Sequence, residues 1–384
     1  MIRILRVLSF FVLLFVVGCN ETQLFTTSIG KKLSDPTSIA VDTAKLRAYV
    51  VNSNNDVQFT STTLSILDIT NPVAPALLNV SQNPIPIASF SGQIYYDPAT
   101  GIAYVANRKS DDINDVTDTL LRINLNETSG SFGGVTGTAS DDNPFGVTCC
   151  DATGRMYVVN SGGTSNGSLD VYDPKDLTSF VRVSLNVTLN SGSQLTGKNS
   201  TESVLLGTQD FVSNRGGSIY VINTSEVGDS SKNPVDYVIT GVGDARGVAT
   251  DGTFIYVVDA SVLNPILRVL KVSLLPPVTP DVSTIQEVDV NTVLSATIAL
   301  EKDPNEVTVF NGTAYVTNRN SNTVSVINLA NNTLTTTIAV GKEPFAMKAF
   351  TVGTASTLYV SNLGDDSISI IDLSTNAVVA TFSP

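Results

Sequence analysis

The chain has 384 residues, of which 42% are hydrophobic and 15% are charged, so it can bury the core of one large domain or two ordinary ones. Acidic residues outnumber basic residues by 35 to 22, giving a formal net charge of −13. This charge repels phosphate backbones and argues against a nucleic-acid partner. The sequence contains no His, which excludes Ser-His-Asp and Cys-His nucleophiles, His-ligated metals and His-ligated haem.

The N-terminal residues have the pattern of an export signal. Met1–Arg6 is short and basic, and Val7–Val17 is an unbroken apolar run that is too short for a comfortable membrane span. The run ends at Gly18-Cys19, which resembles the lipobox of bacterial lipoproteins. The resemblance implies that residues 1–18 are a signal peptide and that Cys19 is lipidated. The alternative is an ordinary secretory signal that happens to end in Cys.

The resemblance also bears on location and on the segment after Cys19. Asn20, rather than Asp, after the cysteine fits a lipoprotein that is exported to the outer membrane, facing either the periplasm or the outside. Residues 19–34 are then a lipidated tether. Within them, Leu24–Gly30 is similar to the stretch that precedes the last repeat and is a candidate for an extra closing strand. The alternative is that the last repeat is complete and the ring closes without it.

A short repeated motif organises the rest of the chain. An aromatic residue is followed by Val, then any small residue, then Asn or Asp, at intervals of about 45–60 residues. After each motif come a polar turn and an alternating apolar segment, a pattern typical of antiparallel hairpins. The seven motifs are Tyr49–Asn52, Tyr104–Asn107, Tyr157–Asn160, Phe211–Asn214, Tyr256–Asp259, Tyr315–Asn318 and Tyr359–Asn362.

The repeat resembles a known family. Tyr315-Val316-Thr317-Asn318 is the tetrapeptide that names the YVTN-type β-propeller repeats, and residues 359–362 differ from it at one position. The resemblance covers residues 35–384 and implies an all-β fold of seven four-stranded blades around an axial channel. It implies no particular activity. We expect the repeated Asn to cap its hairpin through local backbone groups and to need no ligand.

Most units also begin with an Asp, Asn or Glu, usually before Pro, although the start of the fourth unit is degenerate. These residues would lie around one mouth of the channel. Carboxylate and amide oxygens that converge on an axis are suitable ligands for Ca²⁺. Asp303 and Glu306 are therefore candidate metal ligands, in an arrangement similar to the metal site of lactonase-type propellers. The alternative, which we favour, is that these residues cap the strand starts and face water. The candidate mouth residues are Asp35, Asn143, Asp244, Arg246, Asp303, Asn305, Glu306 and Glu343.

Two further groups are less informative. The loop Ser110–Thr119 contains Asp111, Asp112 and Asp115, which are weak Ca²⁺ candidates, but its spacing is not that of an EF-hand. A solvated acidic loop is the favoured interpretation. Cys149 and Cys150 are adjacent, and we expect two separate small side chains on a half-buried strand, because vicinal disulfides are rare.

Three functions are compatible with these patterns. The favoured one is a non-enzymatic, lipid-anchored propeller that binds protein partners in the cell envelope, without haem and without a required cofactor. The second is a Ca²⁺-dependent hydrolase of lactones or esters at the channel mouth. The third is a structural component of a surface layer or appendage.

Overall fold

The computed structural model describes residues 29–55, 59, 61–88, 90–109, 117–278 and 284–384. The candidate signal peptide, Cys19, most of the Leu24–Gly30 segment, and Asp111, Asp112 and Asp115 lie outside these residues. Almost all of the described regular structure is β-strand, and the one α-helix, α1, spans only Val290–Val293. No helix in the described ranges is long and apolar enough to cross a membrane.

Seven small antiparallel sheets follow one another along the chain, and each contains four principal strands. In blade 1 the fourth strand is split into two short segments. The strands of blade 1 are β1 (Pro36–Asp42), β2 (Arg47–Asn52), β3 (Thr62–Asp68), β4 (Ala76–Leu77) and β5 (Ile85–Ile87). Those of blade 2 are β6 (Ser91–Asp97), β7 (Ile102–Asn107), β8 (Thr119–Asn124) and β9 (Val135–Ala139). Those of blade 3 are β10 (Pro144–Cys149), β11 (Met156–Asn160), β12 (Ser168–Asp173) and β13 (Asp176–Ser184).

A hairpin of β14 (Val187–Thr188) and β15 (Gln194–Leu195) lies between blades 3 and 4 in the chain. The strands of blade 4 are β16 (Ser200–Leu206), β17 (Gln209–Asn214), β18 (Ser218–Asn223) and β19 (Val235–Thr240). Those of blade 5 are β20 (Ala245–Thr250), β21 (Phe254–Asp259), β22 (Ile266–Lys271) and β24 (Leu294–Ala299), with β23 (Gln286–Asp289) between the last two. Those of blade 6 are β25 (Pro304–Phe310), β26 (Thr313–Asn318), β27 (Thr323–Asn328) and β28 (Thr333–Ala339). Those of blade 7 are β29 (Pro344–Val352), β30 (Ala355–Asn362), β31 (Ser367–Asp372) and β32 (Ala377–Phe382).

The first strands of the blades form a closed ring. Each first strand contacts the first strand of the next blade, and β29 of blade 7 contacts β1 of blade 1. The protein is therefore a seven-bladed β-propeller, which confirms the fold predicted from the repeats.

The repeated motif occupies the second strand of each blade, which is packed on both faces. The residues of β7 and β11 are all buried, and so are Ala314–Asn318 of β26. A strand covered by neighbouring blades on both sides has no solvent face, so it is continuously apolar rather than alternating. Burial of each such aliphatic or aromatic side chain contributes about 1.5–3 kcal/mol. The stacking of blades is thus the main source of stability.

The ring is closed by packing between blades 1 and 7. Leu33, Ile39 and Val50 share an apolar cluster with Tyr359 and Ile370. Two hydrogen bonds also cross this junction, from the Tyr359 hydroxyl to the Pro72 carbonyl (2.7 Å) and from the Asp35 amide to Asp366 Oδ1 (2.8 Å). Among the described residues, all four strands of blade 7 come from one continuous segment.

The packed structure starts before residue 35. Ile29 and Leu33 are buried, and the Ser34 amide donates to Asn52 Oδ1. Residues 29–34 therefore belong to the folded body, although the sequence assigned them to the tether. Leu33 explains the difference, because its side chain fills part of the junction between blades 1 and 7.

Two features were not anticipated from the sequence. The strand β23, which lies between the third and fourth strands of blade 5 in the chain, adds to blade 4 as a fifth strand parallel to β19. At the end of β10, Cys149 and Cys150 are joined by a disulfide, so the expectation of two separate thiols was wrong.

Candidate functional site

The first strand of each blade begins, and the second strand ends, at the same end of the channel. This end, called the mouth here, therefore carries the loops that join the second and third strands. A cavity of about 460 Å³ opens there, with walls from blades 2 to 7. Its volume is within the range of small-molecule sites. It is lined by Arg108, Asn143, Pro144, Phe145, Ser161, Gly162, Gly163, Lys198, Asn199, Thr201, Glu202, Arg215, Arg246, Asn305, Arg319 and Phe345.

The repeated acid or amide before each first strand has a backbone role. Six of the seven residues at this position have a left-handed φ between 46° and 66°, and all of them except Phe90 are Asp, Asn or Glu. Asn and Asp tolerate this conformation better than most residues because their short polar side chains bond locally. Their repetition thus reflects the tight turn into the strand. The six residues are Asp35, Phe90, Asn143, Asn199, Asp303 and Glu343.

Two of the predicted acids hold an arginine in place. Arg246, on the first strand of blade 5, bonds Asp244 through Nε and one terminal nitrogen (3.0 and 2.9 Å) and Asp303 through the other (2.7 Å). Burial acts to lower the pKa of Arg246, but its bonds to Asp244 and Asp303 and their charges outweigh it and raise the pKa. The guanidinium is therefore a fixed positive charge in the wall of the cavity.

Two more arginines directly follow the Asn of the motif and reach the same cavity. Arg215 pairs with Asp244 at 3.0 Å, which leaves its second terminal nitrogen without a protein partner in the described structure. Arg319 pairs with Glu343 at 3.0 Å and lies over the Phe345 ring, 5.6 Å from its centroid. The Nε–H of Arg319 is buried and donates to no acceptor within the described ranges.

Arg108 and Lys198 complete the basic lining. The Arg108 guanidinium lies 5.1 Å from the centroid of the Phe90 ring, and no carboxylate of the described residues is within ion-pair distance. Desolvation lowers the pKa of Arg108, and the negative charge of Asp118 only partly opposes this effect. Lys198 Nζ makes a long hydrogen bond of 3.5 Å to the Gly163 carbonyl and likewise forms no ion pair with a described residue.

Two phenylalanines from opposite sides of the ring meet across the axis. Phe145 of blade 3 and Phe345 of blade 7 pack edge to face, with centroids 6.3 Å apart. Three blades separate them in one direction around the ring and two in the other. The rings therefore form an apolar floor to the cavity and narrow the channel at this level.

Two glutamates on first strands have perturbed protonation. Burial raises the pKa of Glu202 to about 7, with the Val248 amide acting in the opposite direction. Burial also raises the pKa of Glu306 well above its usual range, and the charge of Glu202 adds to this, while the Met347 amide and Lys348 oppose it. The two carboxyl groups are thus close enough to repel each other.

The position that these glutamates occupy links neighbouring blades. At the same position, Ser38 of blade 1 accepts a hydrogen bond from the Ile94 amide (3.1 Å), and Gln93 of blade 2 accepts one from the Val147 amide (3.3 Å). The amides that act on Glu202 and Glu306 belong to the corresponding residues of the next blades. Glu202 and Glu306 therefore stabilise the ring in addition to any role at the mouth.

The candidate mouth residues do not form a shared metal site. Within the described ranges no group of three or more Cys, Asp or Glu residues could hold a metal ion. Asp244, Asp303 and Glu343 are paired with arginines instead, and Asn305 donates to the Phe345 carbonyl at 3.3 Å. Asp35 is buried at the junction of blades 1 and 7. Asp111, Asp112 and Asp115 lie outside the described residues.

The repeated Asn of the motif is buried and bonded within its own blade. Asn318 Nδ2 donates to Thr323 Oγ1 and Ser325 Oγ, both at 3.0 Å, and Asn362 bonds the equivalent Ser367 and Ser369. The partners are thus mainly hydroxyl groups of the third strand, where the sequence predicted backbone groups.

Sequence reasoning missed the basic residues and the aromatic floor. Arg108, Arg215 and Arg319 each directly follow the Asn of a motif, so three of the seven units carry Arg at one position. That recurrence was visible in the sequence. The Phe145–Phe345 contact was not, because it depends on which blades face each other across the axis.

Comparison with known proteins identifies the fold but no family. No model of a known protein family matches the chain, and no curated protein matches it. Many solved structures do match, and those compared are β-propellers or proteins of similar architecture at low identity. The chain is thus, by class, a seven-bladed β-propeller.

Three solved structures illustrate the likeness. The Kuenenia stuttgartiensis hydrazine synthase matches with a TM-score of 0.63 and 13% identity, over 92% of this chain and 98% of that one. The β-propeller domain of Myceliophteria thermophila Cps50 (Swd1) matches with a TM-score of 0.61 and 12% identity, over 90% of this chain and 100% of that one. The WD40 β-propeller domain of Doa1 matches with a TM-score of 0.61 and 11% identity, over 88% of this chain and 92% of that one. At these identities the similarity extends to the fold alone.

Proposed function

We propose that this protein is a YVTN-type propeller that serves as a lipid-anchored, protein-binding scaffold of a bacterial cell envelope. The anchor is Cys19, and the sequence pattern of residues 1–20 supports an outer-membrane location. The propeller fold supports the scaffold role, because a closed ring presents rigid loops on two broad faces.

The observation that carries the proposal is an exposed apolar pair on the mouth face. Val262 and Leu263 lie in the loop between the second and third strands of blade 5, and their side chains are 97% and 89% exposed. The equivalent loops of blades 2, 3, 4 and 6 contribute to the cavity walls, so this loop rises beside the cavity. Two adjacent aliphatic side chains with almost no intramolecular contact are a suitable anchor for a partner, because a partner would remove them from water.

Crosslinking on intact cells tests the scaffold role. A photocrosslinker in the 260–265 loop should capture a discrete protein, and the Val262→Ser/Leu263→Ser variant should lose most of this product at unchanged thermal stability. Val379→Ser is the matched control, because Val379 is exposed on the outermost strand of blade 7, away from the mouth. Equal crosslinking in the wild-type protein and the loop variant would refute this docking face.

Fractionation tests the anchor separately. Cys19→Ser should move the protein from the membrane to the soluble fraction and abolish incorporation of a labelled fatty acid. Protease treatment of whole cells then tells which side of the membrane the propeller faces. Retention of Cys19→Ser in the membrane fraction would refute lipid anchoring at this residue.

A further inference from the structure

The sign of the charge at the mouth differs from that of the whole protein. The net charge of the chain is −13, yet five of the 22 basic residues line this one cavity, together with a single acid, Glu202. Clefts lined by one sign of charge attract ligands of the opposite sign.

Neighbouring acids neutralise only part of this positive charge. Asp244, Asp303 and Glu343 are shared among Arg215, Arg246 and Arg319. Arg108 and Lys198 have no carboxylate partner among the described residues. The cavity therefore holds about one to two uncompensated positive charges, because Glu202, whose pKa burial raises to about 7, supplies part of a negative charge. A bound anion would neutralise this excess of positive charge.

The donors that remain suit an oxyanion. Arg215 retains donors on its second terminal nitrogen, and Arg319 bonds Glu343 through only one of its two terminal nitrogens. Guanidinium groups bind carboxylate and phosphate through paired hydrogen bonds, which a single ammonium group cannot reproduce.

The floor adds a second requirement. Phe145 and Phe345 present apolar rings at the base of the cavity, and the Arg319 guanidinium stacks over one of them. A flat apolar group would contact the rings while its oxyanion reaches the arginines.

We propose that the mouth cavity binds a carboxylate or phosphate group carried on a flat apolar ligand, with Arg108, Lys198, Arg215 and Arg319 as the binding residues. The inference deepens the proposed scaffold function, because such a carboxylate can be supplied by the chain end of a docked protein or by a free small acid. Arg246 has a positioning role, since three of its nitrogens already bond acids.

Calorimetric titration of the full-length protein tests the site without any partner. The probes are N-acetylphenylalanine, its neutral amide, and inorganic phosphate. We expect the carboxylate to bind one per chain and at least tenfold more tightly than the amide, with affinity falling at high salt because the attraction is screened. Phosphate should bind to the same site.

Matched variants locate the site. Arg108→Gln and Lys198→Gln should each weaken N-acetylphenylalanine binding about tenfold. The controls are Arg122→Gln on β8 and Lys175→Gln in a turn of blade 3, which are exposed and outside the cavity. Equal binding of acid and amide, no binding of either anion, or equal effects of the cavity and control variants would each overturn the proposal, provided circular dichroism shows the variants to be folded.

A competition experiment then identifies the source of the oxyanion. If saturating N-acetylphenylalanine abolishes crosslinking from the 260–265 loop, the natural group is on the partner protein. If crosslinking persists while Arg108→Gln abolishes binding of the acid, the ligand is a free small molecule and the partner docks independently. The titration does not depend on crosslinking, so failure of the scaffold proposal and failure of the anion site can be told apart.

Discussion

Asp210, on the second strand of blade 4, should make the propeller less stable as pH rises. Its side chain is fully buried, and neither carboxylate oxygen accepts a hydrogen bond in the described structure. Burial raises the pKa of Asp210 to about 7, the Ser203 hydroxyl opposes this, and the charge of Asp151 adds to it. We expect Asp210→Asn to remove this pH dependence.

The size of the effect follows from the two pKa values. In the unfolded chain the carboxyl group ionises with a pKa of about 3.9, so between that pH and about 7 the unfolded state releases a proton that the folded state keeps. Stability is therefore full below pH 3.9, falls as pH rises, and levels off above pH 7. The free energy of unfolding falls by about 4 kcal/mol in total, and about 2.5 kcal/mol of this decrease occurs between pH 5 and pH 8.

The variant isolates this contribution. Burying a neutral amide also costs free energy, about 1–3 kcal/mol, but this cost does not depend on pH. The stability of Asp210→Asn relative to wild type should therefore increase by about 2.5 kcal/mol from pH 5 to pH 8. Urea unfolding followed by circular dichroism and tyrosine fluorescence measures it, since the chain has 11 Tyr and no Trp.

The control is Asp173→Asn, which changes an exposed carboxylate at the end of a strand in blade 3. The stability of Asp173→Asn relative to wild type should show no comparable change between pH 5 and pH 8. If the relative stability of Asp210→Asn is the same at pH 5 and pH 8, then Asp210 is not a protonated buried acid and the reasoning is wrong.

The remaining predictions concern packing and the disulfide. Gly247→Ala should destabilise the fold by about 1–3 kcal/mol, because the added Cβ would lie 2.7 Å from the backbone of blade 6, whereas Gly130→Ala, with open space at its Cβ, should have little effect in the same urea assay. Tyr359→Phe should destabilise it by about 1–3 kcal/mol, since a carbonyl of blade 1 loses its donor; unchanged stability would show that this bond does not support ring closure. Cys149 and Cys150 should react with iodoacetamide only after reduction, as judged by peptide mass mapping, and alkylation of the untreated protein would contradict the disulfide.

The fold was predictable because its information is repeated. The tetrapeptide Tyr315–Asn318 recurs in seven variants, and each copy fixes one strand that neighbouring blades cover on both faces. Even the fourth unit, whose first strand begins at Ser200 without an acid–Pro start, forms a regular blade. The strand β23 was not predictable, because its place beside blade 4 depends on the path of an insertion.

The site was less predictable because binding residues need not repeat. Asp303 and Glu343 were singled out because their residue type recurs, and the structure shows that recurrence to reflect a left-handed backbone, with φ of 54° and 49°. Arg108 and Arg319, which reach the cavity, lie one residue beyond the motif and occur in only some units. Their importance depends on the seven units meeting around one axis, which a linear reading of the chain does not show.

The contact between Phe145 and Phe345 has a consequence for transport. Because the two phenyl groups reach toward each other from opposite sides of the ring, they narrow the hole through it at the level of the mouth cavity. A solute that enters from the mouth face therefore meets an aromatic constriction. A ligand held in the mouth cavity would lie against this constriction and restrict the passage further.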